Sequence, residues 1–204
     1  MPKNPSIYKS RMEAKDAFIR DVQRHRNFIR EAFNKYGKAL CDAIGADVDE
    51  VESRVIKHDV SKYQEEVEVE GLMAYYYRYP QDGLGLDSMR RKYLFDRAML
   101  NHYHVNSCHP EYWIQYRPNK SNDPCDPEAN EPKMFALDMD NESIVEMVLD
   151  WVAIGMEPDF DRADIYWANN RNKKMMTRNT VAKTDKLMDL FHKMAEAEEH
   201  DPET

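Results

Sequence analysis

Apolar side chains recur along this chain at intervals of three and four residues, and almost nowhere in strict alternation. Only a helix brings residues so spaced onto one face, so long stretches of the chain can bury apolar surface only as helices. Ala14, Phe18, Val22, Ile29 and Phe33 form the first such stripe, behind a Ser10–Glu13 capping box that predicts a helix start at Ser10. His25 falls on the same stripe. Gly37 is the expected stop, followed by a further turn or two from Lys38 to Ile44. Val51, Val55 and His58 predict a helix from Asp49 to about His58, favoured at its start by Asp47 and Asp49. Ser61 with Gln64 predicts another start and a helical segment through Tyr79, and the string PQDGLG from Pro80 reads as loop. Phe95, Met99 and His102 share one face of a helix from Ser88 to about His104. Asn106 to Pro132 is rich in Pro, Asn and Asp yet keeps Tyr112, Trp113 and Tyr116, which predicts a long irregular loop that packs. Asn141 or Ser143 should cap the apolar helix SIVEMVLDWVAIG, ending near Gly155. A last helix is expected from about Thr180 to Glu199, with Leu187, Leu190, Phe191 and Met194 on one face and a frayed end in EHDPET. Six glycines and no sustained Val/Ile alternation leave no sheet core, so the expectation is an all-α bundle.

At 204 residues the chain reads as one helical domain, its core over 10–160 and a helical extension over 161–200. No apolar run approaches the length of a membrane span, and MPKNPSIYKSRMEAKD carries no secretory pattern. Cys41, Cys108 and Cys125 are far apart and lack CxxC spacing, which excludes a zinc finger and fits a reduced cytoplasm. A formal net charge of −9 leaves the chain as a whole without a basic footprint and argues against nonspecific nucleic-acid binding. The basic runs MRRK from Met89 and RNKK from Arg171 are short enough to be solvated helix surface. A small phosphorylated ligand needs only a few cations and stays open. A homodimer through an exposed Met- and Tyr-rich face also stays open.

Four side chains stand out chemically. His58 and Asp59 are adjacent at a helix end, His25 lies on an apolar face, and Asp150 lies inside VLDWV. An unpaired imidazole or carboxylate is costly to bury, so each needs a partner at its position. Taken singly, each has a plainer reading, as a hydrogen-bonded core histidine, a half-exposed acid or a helix C-terminus. Together, His25, His58, Asp59 and Asp150 make a mixed nitrogen and oxygen set inside a helical bundle. Such a set suits an octahedral divalent ion, manganese, iron, cobalt or nickel, with magnesium admissible, better than tetrahedral zinc.

In the order H…HD…D, with the string HDVSK from His58 to Lys62, these residues resemble the HD-domain superfamily of metal-dependent phosphohydrolases. The longer strings HYHVNSCHPEYW and DWVAIG resemble a bacterial and phage-encoded HD-like family. The resemblance covers most of the chain and implies a helical HD-type fold, a bound divalent metal, and hydrolysis of a phosphorylated small molecule such as a nucleotide. It also gives two uses for the histidines at 102 and 109: His102 and His109 either complete a second metal site or contact the phosphate and position the attacking water. Packing of the loop near Trp113 is the plainer alternative. His104 lies about 160° from His102 on a continuing helix, so the two cannot face one site.

For such a reaction Lys62, one turn beyond Asp59, is the best placed cation for a phosphate, with Arg91 and Arg117, then Arg90, Arg97 and Lys120, as weaker candidates. Glu65 or Glu66 could act as general base or orient the water. Asp59, His102 and His109 complete the expected catalytic set. Trp113, with Tyr75, Tyr76, Tyr77 and Tyr116, could stack on a base, although core packing is the commoner fate of such residues. Two other functions fit the same residues: a non-catalytic nucleotide- or partner-binding protein, and a di-iron oxygenase using His25, His58, Asp59, His102, His109 and Asp150 as six ligands.

Overall fold

The computed structural model describes residues 6–79, 88–117 and 133–200. The fold is all-α, with eight α-helices among the described residues and two small two-stranded pairings. Helix α1 (Arg11–Ala32) starts as its capping residue dictates, with the Ser10 hydroxyl accepting from the Glu13 amide at 3.2 Å. Gly37 does not stop it. Gly37 keeps right-handed helical angles, and the chain runs through a π turn (Phe33–Gly37) into α2 (Lys38–Ile44). The stop is Gly45, whose φ of 71° is the left-handed conformation that glycine adopts without a Cβ clash.

Asp47 caps α3 (Val48–Lys57), accepting from the amides of Asp49 and Glu50. The expected single helix from Ser61 is instead three pieces: a 3-10 turn (Val60–Tyr63), a π turn (Glu65–Val69) and α4 (Glu70–Tyr76). Ser61 cannot cap, because its hydroxyl donates to buried Glu68 at 3.1 Å. Short strand β1 (Ser6–Ile7) pairs in parallel with β2 (Tyr77–Arg78).

Helix α5 (Ser88–Val105) lies tightly on α4. The contact depends on Gly71, where an added Cβ would sit 2.3 Å from the Leu94 carbonyl oxygen and 2.5 Å from the Ala98 Cβ. Backbone on one side and a core methyl on the other leave nothing flexible to yield. Gly71→Ala should therefore cost about 3 kcal/mol and lower Tm by about 6 to 12 °C. A thermal scan showing an unchanged Tm would refute this packing.

The expected irregular stretch from Asn106 is in part ordered, with a 3-10 turn (Pro110–Trp113) and β3 (Ile114–Arg117) antiparallel to β4 (Lys133–Ala136). Residues 118–132, with Lys120 and Cys125, the loop over 80–85 and the last four residues lie outside the described residues. Helix α6 (Asn141–Gly155) is capped by Asp140, not by Asn141 or Ser143, because the Asp140 carboxylate reaches the Ser143 amide at 2.6 Å. Its sequence is apolar on nearly every side, and every residue from Ser143 to Ala153 is buried. Around it pack α1, α2, α3, α7 (Ala163–Asn170) and α8 (Arg178–His200). Periodicity gave no warning of α7, which is short and only weakly amphipathic.

Two hydrophobic clusters result. One surrounds α6 and includes Ile29, Val51, Val55, Leu149 and Leu187. The other joins α1 to α4 and α5 through Phe18, Val22, Leu72, Met73 and Ala98. Along α1, His25 falls between Val22 of one cluster and Ile29 of the other. No helix among the described residues is long and apolar enough to cross a membrane.

Candidate metal centre

Four of the residues singled out in the sequence meet at that seam. Helix α1 supplies His25, the C-terminal end of α3 supplies His58, and α6 supplies Asp150. Asp150 Oδ1 lies 2.9 Å from His25 Nε2 and 3.4 Å from His58 Nε2. Asp59 joins them through a backbone reversal. Its φ of 60° is the only left-handed non-glycine angle among the described residues. Aspartate tolerates this region better than most residues, and such strained angles persist where the surroundings demand them. In a continuing helix His58 and Asp59 would diverge by about 100°. With the helix ended at Lys57, both face inward, and Asp59 Oδ1 sits 3.7 Å from His58 Nε2.

Asp59 also ties in the second histidine pair. His102 Nε2 lies 3.5 Å from Asp59 Oδ1, and His109 Nε2 lies 2.9 Å from His102 Nε2. His104 is exposed on the opposite side of α5, as helical geometry requires. The other Asp59 oxygen faces His25 at 3.8 Å and the Lys62 ammonium at 2.6 Å.

Behind the histidines stand two buried glutamates that the sequence reading passed over. Glu146 Oε1 lies 2.9 Å from His58 Nδ1, and Glu68 Oε2 lies 3.0 Å from His102 Nδ1. A carboxylate at Nδ1 holds a proton there and leaves Nε2 directed forward. Both rings therefore turn Nε2 toward Asp59; His58 Nε2–H donates to Asp150, and it is this nitrogen whose lone pair a cation would take on displacing the proton. Glu68 is held in turn by Ser61 and by the Asn101 amide at 2.7 Å. Glu146 had a signal, since it precedes Asp150 by one helical turn in an otherwise apolar run. Glu68 had none that separates it from its neighbours in EEVEVE.

The electrostatics follow from burial and pairing. Burial opposes the charge on Asp150, but the hydrogen bonds from His25 and His58 hold its carboxyl well below the usual range. For Asp59 the same penalty is overcome by Lys62 and the nearby imidazoles, and its pKa is lowered. Burial disfavours the His58 imidazolium, yet Asp59, Asp150 and Glu146 raise its pKa well above the ordinary value. Burial also opposes the Lys62 charge, and Asp59 raises it. His109 goes the other way: burial and His102 push it down to about 3, so its ring is neutral at physiological pH. Cys108 Sγ lies 3.9 Å from His58 Nδ1, and burial pushes its thiol up to about 12. His58, Cys108 and Glu146 also form a compact group, but it sits on the Nδ1 side of His58 with a neutral thiol, which makes it support for the ring.

One protein-family model matches residues 14–197, that of DUF5662, a family of unknown function. The chain belongs to this family. No curated protein and no solved structure matches it. In this DUF5662 protein a cavity of about 550 Å³ opens onto the centre, lined there by His25, Asp59, Lys62, His102, His109 and Asp150. Tyr76, Tyr103, Trp151, Tyr166 and Lys174 also line it.

The remaining expected site residues are placed elsewhere. Glu65 and Glu66 are exposed and do not line the cavity; Glu65 pairs with Lys15, because the extended Gln64 and the π turn rotate Glu68 inward instead. Arg91 donates to the Ala74 carbonyl near the end of α4, a helix-capping role. Trp113 donates to the Ser107 carbonyl at 2.8 Å and packs on the core around α6. Arg117 is in β3, and its side chain lies outside the described residues. Arg90 is exposed and Arg97 lies over the Tyr93 ring. Tyr77 is buried in the smaller core, Tyr75 stacks on Phe95, and Tyr116 is exposed. Of the tyrosines expected to stack, Tyr76 alone lines the cavity; Tyr103, Tyr166 and Lys174 were not anticipated.

Proposed function

We propose that this protein is a metal-dependent phosphohydrolase of the HD-domain kind, acting on a small phosphorylated molecule such as a nucleotide. The observation that carries the reading is the pair of buried glutamates at His58 Nδ1 and His102 Nδ1, which leave both Nε2 atoms facing one pocket. The donor atoms fit as well, since His25, His58 and Asp150 offer ligand atoms all within 4.8 Å of one another. Two imidazoles with carboxylates suit manganese, iron, cobalt or nickel. His25, His58, Asp59 and Asp150 would hold the ion, with His102, His109 and Asp59 placed for a second.

A divalent ion in such a site lowers the pKa of a water and polarises a phosphoryl oxygen. The chain supplies the rest. Lys62, fixed on Asp59, brings a cation to where phosphoryl oxygens would lie, and phosphoryl transfer depends mainly on positioning and charge stabilisation. His109, with so low a basicity, suits a ligand or hydrogen-bonding role rather than that of general base. Hydrolysis of a phosphate monoester consumes one water: a phosphorus–oxygen bond forms to the water oxygen as the ester phosphorus–oxygen bond breaks, one water proton goes to the leaving oxygen, and phosphate and an alcohol are released.

The test combines metal content with phosphate release. Protein purified without chelator should carry near-stoichiometric manganese, iron, cobalt or nickel and release phosphate from at least one nucleotide or sugar phosphate. Asp59→Asn should lose that release while remaining folded. Wild-type protein that takes up no metal on reconstitution would overturn the reading. The convergence of six potential ligands also favours a second reading, a di-iron oxygenase. Bound iron, near-ultraviolet absorption and oxygen uptake without phosphate release would point to it.

A further inference from the structure

The cavity is acidic well beyond the metal centre. Among the described residues its lining contains six carboxylates, two lysines and no arginine. Asp59 and Asp150 belong to the centre, and Lys62 is already paired with Asp59 at 2.6 Å. The rest of the wall therefore sets Asp21, Glu111, Glu157 and Asp161 against Lys174. Arg24 stands behind the wall, 3.0 Å from Asp21 and 3.4 Å from Glu157, and offsets one of that pair. Lys174 itself is held over the rings of Trp151 and Tyr166, at 5.6 and 6.0 Å.

A phosphate chain needs cations along its length, as arginine forks or lysines provide in sites that bind one. Here a first phosphoryl group meets Lys62 and the metal ligands, but a second and a third would meet carboxylates. Uncharged ligand groups are better served. Tyr76, Tyr103, Trp151 and Tyr166 offer faces and edges for a ring, and carboxylates accept from hydroxyl and amino donors. A volume of about 550 Å³ is ample for a ring and a sugar.

From this wall we infer that the ligand is a singly phosphorylated, hydroxylated, ring-bearing compound, of which a nucleoside monophosphate is the type, and that Glu111 and Asp161 act with Asp21 and Glu157 to reject phosphate chains. The inference rests on the phosphohydrolase reading for the place of the phosphoryl group. Glu111 and Asp161 are the residues to alter, because Asp161 is exposed, Glu111 is half-buried, and neither touches the metal ligands through any described contact.

The experiment is equilibrium dialysis of AMP, ADP and ATP against manganese-loaded wild-type protein and a Glu111→Lys/Asp161→Lys variant, with phosphate release followed in parallel. Circular dichroism and manganese content establish that the variant is folded and loaded. Wild type should hold AMP at least about tenfold more tightly than ATP, and the variant should bind ATP about tenfold more tightly than wild type does. Equal or tighter binding of ATP by wild type would overturn the inference, as would an unchanged ATP affinity in the variant or no binding of AMP. AMP-selective binding without phosphate release would uphold the inference and sink the hydrolase reading. Release of phosphate chiefly from ATP would do the reverse.

Discussion

Replacing Asp150 by alanine will leave a folded protein that holds metal about a hundredfold more weakly than wild type, since about 10–16 kcal/mol of metal binding shared among four ligands is about 3 kcal/mol each. Among the described residues Asp150 is the one carboxylate that approaches both His25 and His58 within 3.4 Å, so no described neighbour can take over its position. The side chain is buried on a helix whose residues from Ser143 to Ala153 are all buried, and alanine keeps the helix intact. Competition against a fluorescent chelator would measure the affinity, and thermal unfolding of the metal-free protein would report on the fold. An affinity equal to wild type would mean that the cluster of imidazoles and carboxylates is a hydrogen-bonded core and nothing more.

The second large effect is expected one layer back, at Glu146 and Glu68. Neither is placed to touch the ion, yet each fixes which nitrogen of its histidine would keep its proton when the other binds the ion. Removing such partners typically costs about 10- to 100-fold in metal affinity. Glu146→Ala and Glu68→Ala should each fall in that range, whereas the glutamine variants, which retain an oxygen to accept from Nδ1–H, should recover most of the loss. The two alanine variants should differ in stability. Glu68→Ala also strips partners from Ser61 and Asn101, a further cost of about 1–3 kcal/mol. Recovery of metal affinity by glutamine separates an orienting role from simple loss of packing. Equal affinities in wild type and both alanine variants would remove the main support for the proposed function.

Much of the helical framework could be read from spacing, because one turn of a helix imposes a regular period on what it buries. The stripe from Ala14 to Ile29 carried His25 inward with it, and the apolar run around Asp150 left that carboxylate no route to solvent. The breaks in regularity could not be read in this way. A capping box at Ser61 is a sound local signal, but Ser61 bonds to Glu68, and the chain enters α4 through an extended Gln64 and a π turn. That change of phase decides which glutamate of EEVEVE is buried, and a uniform helical period assigns the wrong ones. The left-handed turn at Asp59 is equally hidden, since it follows from the convergence of groups distant in sequence. Helix α7 and Lys174 reach the cavity by the route the chain takes after Gly155, where no periodic pattern constrains it.

The position of His25 on α1, between one cluster's Val22 and the other's Ile29, bears on how far this protein could be dissected or recombined. His58, Glu146 and Asp150 stand on the α6 side of the seam, and Glu68 and His102 stand on the α4–α5 side. A fragment that keeps α1 with the α6 side leaves the other apolar stripe bare and loses Glu68 and His102, and one that keeps α1 with α4 and α5 loses His58 and Asp150. Each half lacks something that only its neighbour can supply. The centre can therefore be inherited, grafted or lost only as a whole, and an insertion is tolerable only where it leaves the two halves facing each other.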